Sequence, residues 1–118
     1  MIKGFAAVAI WVEDFTSVLH FYQDTLGLDL ISHHGDVPQF QVGDGILVLV
    51  KGKLPPAIDA FPAEFPLVAF EVNDLNKMAE TLMAENVELQ SGIEERRDSR
   101  WIKVRDPAGN LIELVEIK

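Results

Sequence analysis

The chain has 118 residues, 48% of them hydrophobic and 25% charged, which is the composition of one ordinary globular domain long enough to bury a core. Nineteen acidic against ten basic residues give a formal charge of −9, which removes any general attraction to nucleic-acid phosphates or anionic lipid. No cysteine is present, so disulfides, thiolate nucleophiles and cysteine zinc sites are all excluded, and a metal would have to be held by His, Asp or Glu. The longest apolar run, Phe5 to Val12, is far below the ~20 residues a membrane span needs. No secretory leader precedes it, and the expected location is the cytoplasm.

Phe5 to Val12 is rich in strand formers, and Glu13-Asp14 follows as a helix entry with Asp14 as N-cap. Phe15, Val18, Leu19, Tyr22 and Leu26 recur at helical spacing, and Gly27 stands where a left-handed C-terminal cap is wanted. Short strand-forming runs then cover Leu28 to His34, Gln39 to Val42 and Ile46 to Val50, separated by Gly35, Pro38 and Gly43-Asp44-Gly45. Residues 53–66 hold four of the six prolines and no sustained period, so they read as a connector. The pattern then restarts, with a strand over Leu67 to Val72, a helix entry at Asn73-Asp74 and a helical stripe of Leu75, Met78, Ala79, Leu82 and Met83. Strands over Val87 to Ile93, Arg100 to Arg105 and Asn110 to Ile117 complete it, the last two joined by the turn Asp106-Pro107-Ala108-Gly109. Both halves read βαβββ. Val12-Glu13-Asp14-Phe15 overlays Val72-Asn73-Asp74-Leu75, and Gly45 to Val50 overlays Asn110 to Val115, which marks an internal repeat. The expected organisation is one domain over residues 1–118, with modules 1–52 and 67–118 around the connector.

Val12-Glu13-Asp14 with Ser17, His20-Phe21-Tyr22 and Leu26-Gly27-Leu28 resemble the opening module of the glyoxalase, bleomycin-resistance and extradiol-dioxygenase superfamily, whose members are also called vicinal oxygen chelate proteins. Asp106-Pro107-Ala108-Gly109-Asn110-Leu111-Ile112-Glu113-Leu114 resembles that family's closing hairpin. The resemblance implies an α+β fold in which two βαβββ modules form curved mixed sheets around a cup-shaped cavity, with the helices outside. It also implies that a two-module chain forms a homodimer.

The family holds lyases, isomerases, dioxygenases and metal-free sequestering proteins, so the site has to decide. In the metal-dependent members a His or Glu enters the cup from the first and last strand of each module. The matching positions here are Ala7, Val48, Leu67 and Glu113, of which only Glu113 has a donor. About three protein ligands are usual for a catalytic divalent ion, so no metal and no other cofactor is expected. His33 and His34 are neighbours on a strand, and at most one can face the cup. Strand alternation turns Ala6, Val8, Ile10 and Val12 toward the helices and Phe5, Ala7, Ala9 and Trp11 toward the cavity, where Leu67, Ala69 and Glu71 follow.

Glu113 has two readings. It is neutralised by Lys103 or Arg105 on the paired strand, or it is a carboxylate in an apolar cup, able to anchor a ligand or act as a base. Trp11 and Trp101 are candidate flat walls, and Phe5 and Phe40 are wall or core residues. Phe21, Tyr22, Phe70 and Met78 belong to packing. Glu94 to Arg100 is a mixed-charge loop whose functional version would close Arg97 or Arg100 over an acidic ligand. Phe61 and Phe65 in the connector would act as a lid or dimer contact.

The expected function is binding or sequestering of an apolar or aromatic small molecule without the family's metal. The candidate ligand-binding set is Phe5, Ala7, Trp11, Phe40, Val48, Leu67, Trp101 and Glu113, and the candidate catalytic residue is Glu113. The alternative is a lyase, isomerase or dioxygenase with a metal site rebuilt from Glu113 and one of His33 or His34, or with metal-free acid-base chemistry at Glu113.

Overall fold

The structure, a computed structural model, describes residues 1–34, 37–52 and 68–118, with the side chains of residues 32–34 excepted. The chain divides into two compact units, Met1–Pro56 and Ala57–Lys118.

In the first unit, strand β1 (Val8–Val12) leads into helix α1 (Thr16–His20), which continues as a π-helical turn over Phe21–Thr25. Strands β2 (Asp29–His34), β3 (Val37–Val42) and β4 (Gly45–Lys51) follow. They form one sheet in the order β1-β4-β3-β2, with β1 parallel to β4 and the other pairs antiparallel. The second unit repeats this plan with β5 (Ala69–Glu71), α2 (Leu75–Ala84), β6 (Glu94–Glu95), β7 (Ser99–Arg105) and β8 (Leu111–Ile117), ordered β5-β8-β7-β6. Here too the outer pair β5 and β8 is parallel. The matching strand order gives the internal repeat its structural form, and the α+β class follows.

Alternation explains which face of each sheet is buried. In β1, Ile10 and Val12 are buried while Ala9 and Trp11 are exposed, as a period of two demands. The register then carries the buried face across the sheet, since Phe40 pairs with Leu47 and Ile10 with Leu49. These side chains form the first core with Val18, Phe21 and Tyr22 of the helical segment. Tyr22 stacks at a tilt on Phe40, with ring centroids 6.1 Å apart, and meets Phe21 edge to face at 5.1 Å. The second core joins Phe70, Ile102, Val104, Ile112 and Leu114 of the strands to Leu75, Ala79 and Leu82 of α2.

Local chemistry sets the element ends. Asp74 accepts a hydrogen bond from the Lys77 N–H at 3.1 Å, the N-cap expected of it. Glu116 reaches across from β8 to accept the Leu75 N–H at 3.2 Å and the Arg100 guanidinium at 3.0 Å, which ties the start of α2 to the sheet. Asp14 accepts instead from Thr16 N–H at 3.0 Å, and Phe15 takes the N-cap position. The expected single helix through Leu26 differs in its second half. Leu26 N–H bonds the Phe21 carbonyl, five residues back, and this wider turn buries Phe21, Tyr22 and Thr25. Gly27 at φ +76° closes this segment.

The strand expected over residues 87–93 is reduced to a bridge between Leu89 and Val104 and flanking backbone bonds, and regular pairing begins only at Glu94. Ser91 Oγ bonds the Gly92 carbonyl next to it, a local closure that competes with the ladder. Lys118 hydrogen-bonds the Glu95 carboxylate and holds its pKa below the ordinary glutamate value. Among the described residues no helix is long and apolar enough to cross a membrane.

Candidate functional site

Each sheet has a face turned away from its helix, and four of the eight candidate ligand-binding residues, Trp11, Val48, Trp101 and Glu113, lie there. In the first unit this open face carries Ala9 and Trp11 of β1, Ile46, Val48 and Val50 of β4, and Gln39 and Gln41 of β3, with Ala9 and Gln39 flanking Val48 in register. Ala7 is exposed just ahead of β1, in phase with Ala9. Phe5 is 91% exposed and lies outside the strand. Phe40 sits on the opposite face, wholly buried, so of its two readings the packing one matches its position. Leu67, Phe61 and Phe65, and the side chains of His33 and His34, lie outside the described residues.

Trp11 lies against Gly52, whose N–H donates to the Val12 carbonyl at 2.9 Å. A Cβ on Gly52 would stand 2.4 Å from Trp11 Cζ3 and 2.6 Å from Cε3, so only glycine leaves room for the ring in this place. Gly52→Ala is expected to shift the indole and change its exposure, read as a displaced emission maximum against a Trp101→Phe background.

The open face of the second unit is more polar. Ala69 and Glu71 of β5, Glu113 and Val115 of β8, and Trp101 and Lys103 of β7 stand in register, with Ala69 and Lys103 flanking Glu113. Glu113 and Lys103 are both half-buried. The register required for neutralisation is therefore present, yet among the described residues no ion pair or side-chain hydrogen bond engages either group. Glu71 is exposed at the edge strand.

Trp101 is fixed from two sides. Its indole N–H donates to Glu94 Oε2 at 2.6 Å, and the Arg96 guanidinium lies over the ring at 5.4 Å from the centroid. Arg96 and Glu94 were not singled out by sequence. The signal for them is the hairpin register, in which Glu94 faces Trp101 and Arg96 N–H bonds the Ser99 carbonyl. Arg100, by contrast, is held on the helix side by Glu116 and by Asn76 Oδ1 at 2.9 Å, which leaves Arg97 as the candidate of that pair to meet a ligand.

The four positions that the family resemblance assigns to metal ligands offer one carboxylate among Ala7, Val48, Leu67 and Glu113. Among the described residues no group of three or more His, Asp or Glu side chains could hold an ion. Alanine, valine and leucine have no donor atom, so this set does not fit a divalent cation.

Comparison with known proteins follows the same lines. The family model described as glyoxalase/bleomycin resistance protein/dioxygenase superfamily matches residues 4–114. No curated protein matches the chain. Among solved structures, a glyoxalase/dioxygenase from Nostoc punctiforme is similar with a TM-score of 0.82 at 20% identity, over 98% of this chain and 92% of that one. A lactoylglutathione lyase from Agrobacterium tumefaciens gives 0.74 at 20% identity, over 98% and 94%. A genomically encoded fosfomycin resistance protein from Listeria monocytogenes gives 0.79 at 18% identity, over 100% and 96%. At these identities the structures share the fold and nothing finer. With 111 of its 118 residues inside the family model and the repeated βαβββ topology in place, the chain belongs to the glyoxalase/bleomycin resistance protein/dioxygenase superfamily.

Proposed function

We propose that this chain binds an apolar or aromatic small molecule on the open faces of its sheets, as a homodimer and without the metal used by other members of its family. The observation that carries the reading is Glu113, a half-buried carboxylate with no described partner, bordered by Ala69, Trp101 and Val115. A partly desolvated charge left unpaired costs stability unless something supplies a hydrogen bond, and a ligand can supply it. The neutral side chains at the other three family positions favour binding over metal-assisted chemistry. Relatives in fold include proteins named for a lyase activity and for antibiotic resistance, so the scaffold accommodates both outcomes and the side chains have to discriminate.

Trp11 and Trp101 are the only tryptophans, which makes intrinsic emission the direct test. Titration with a panel of flat aromatic compounds is expected to give saturable quenching for at least one of them. Glu113→Gln is expected to weaken that compound about tenfold, the worth of one charge-assisted hydrogen bond, with far-UV circular dichroism unchanged. Unchanged emission across the whole panel overturns the reading.

A further inference from the structure

We propose that the ligand is a zwitterion carrying an aromatic ring, with its cationic group on Glu113, its anionic group on Lys103 and its ring beside Trp101. This rests on the binding function proposed above and names the chemistry of its ligand.

The argument begins with backbone geometry. Lys103 turns its carbonyl to the edge of the sheet, where it accepts the Gln90 N–H at 2.8 Å, and Glu113 turns its N–H to the Val68 carbonyl at 3.0 Å. Each therefore points its peptide groups away from the other, and the two form the non-hydrogen-bonded kind of antiparallel pair, the one in which Cα atoms approach to about 4.5 Å and side chains are closest. An ammonium and a carboxylate so placed normally meet. Here both are half-buried and they form no ion pair. Two opposite charges thus stand side by side on one face, each without a described partner.

The fold does not require this pair. The first unit has Val48 at the position of Glu113 and Gln39 at the position of Lys103, in the same strand register, and builds an equivalent sheet without either charge. The charges belong to the second unit alone. Lys103 also speaks against a simple amine, because an ammonium drawn to Glu113 would be repelled by its neighbour, whereas a zwitterion satisfies both groups. The overall charge of −9 is not repeated locally. On this face Lys103, Arg105 and Arg96 stand with Glu113, Glu71 and Glu94, and Arg105 already donates to the Gly109 carbonyl at 2.9 Å.

The ring comes from the next pair along. Trp101 and Val115 face each other two residues from Lys103 and Glu113, roughly 7 Å along the strands. Trp101 is held in place by Glu94 and Arg96, so its indole is a preorganised surface. An α-amino acid with an aromatic side chain has this pattern of adjacent opposite charges with a ring a few bonds away.

The test is calorimetric titration of the whole chain with L-phenylalanine, phenethylamine and 3-phenylpropionate, which share the ring and carry both charges, the ammonium alone and the carboxylate alone. L-Phenylalanine is expected to bind at least tenfold more tightly than either analogue. Lys103→Met is expected to bring L-phenylalanine and phenethylamine within about threefold of each other, and Glu113→Gln to do the same for L-phenylalanine and 3-phenylpropionate. Equal or tighter binding of a single-charge analogue to the unmodified protein overturns the inference, and so does retention of the preference in both variants. If flat aromatic compounds quench the tryptophans but L-phenylalanine gains nothing from its second charge, the zwitterion inference fails and the binding function stands. If nothing in either set binds, both fail.

Discussion

Asp106→Ala is expected to lower the free energy of unfolding by roughly 3 kcal/mol. Asp106 is only 4% exposed and starts the turn between β7 and β8. Its Oδ1 accepts the Ala108 N–H at 2.9 Å and the Asn110 N–H at 2.8 Å, and its Oδ2 accepts from Asn110 Nδ2 at 3.0 Å. The backbone closes around it, with Asp106 N–H on the Asn110 carbonyl and Gly109 N–H on the Asp106 carbonyl, both at 2.9 Å. Gly109 at φ +92° supplies the conformation that a side chain would resist. Removing the carboxylate takes three hydrogen bonds at once, two of them from the buried Asn110, and the desolvation of this site makes the loss exceed the ordinary worth of a hydrogen bond. Asp106→Asn keeps an oxygen for the two backbone donors but sets its amide N–H₂ against that of Asn110, so about half the loss is expected. Urea denaturation of the three proteins measures this, and a loss below about 1 kcal/mol for the alanine variant would show that the turn holds without its carboxylate.

The turn was legible because its signal is local. Asp-Pro-Ala-Gly-Asn names both the acceptor and the glycine that the closure needs, within five residues. Asp74 was legible for the same reason, and the alternation of Val8, Ile10 and Val12 against Ala9 and Trp11 needs nothing beyond the period of a strand. The π turn was not, since Phe21, Tyr22 and Thr25 are spaced as one face of an ordinary helix and nothing in that pattern marks the widened turn. The candidate site was half legible. Register could put Lys103 opposite Glu113 from the turn outward, but whether the two charges close on each other depends on side-chain rotamers that no pattern encodes. Trp101 could be placed on the open face by counting, while its partners Glu94 and Arg96 required the short hairpin pairing that the irregular stretch before it hid.

Phe40 tests how far counting along one strand can be trusted. It lies between Gln39 and Gln41, and since strand neighbours face opposite ways, the two glutamines and the phenylalanine cannot share a face. The open face takes the glutamines, with Gln41 Nε2 donating to the Gly43 carbonyl at 2.6 Å, and Phe40 goes to the core beside Tyr22 and Leu47. Phe40→Ala is therefore expected to cost about 3 to 5 kcal/mol, because a large wholly buried ring leaves a cavity that Tyr22, pinned edge to face by Phe21, cannot refill. Ligand affinity per folded molecule is expected to stay within about twofold, since the substituted side chain is on the far side of the sheet from Trp11 and Val48. Denaturation midpoints and fluorescence titration on the same preparation separate the two effects. A variant that keeps its stability and loses binding would make Phe40 a wall of the site, and would require β3 to turn its other face to the helix, carrying Gln39 and Gln41 into the core where their amides would need partners.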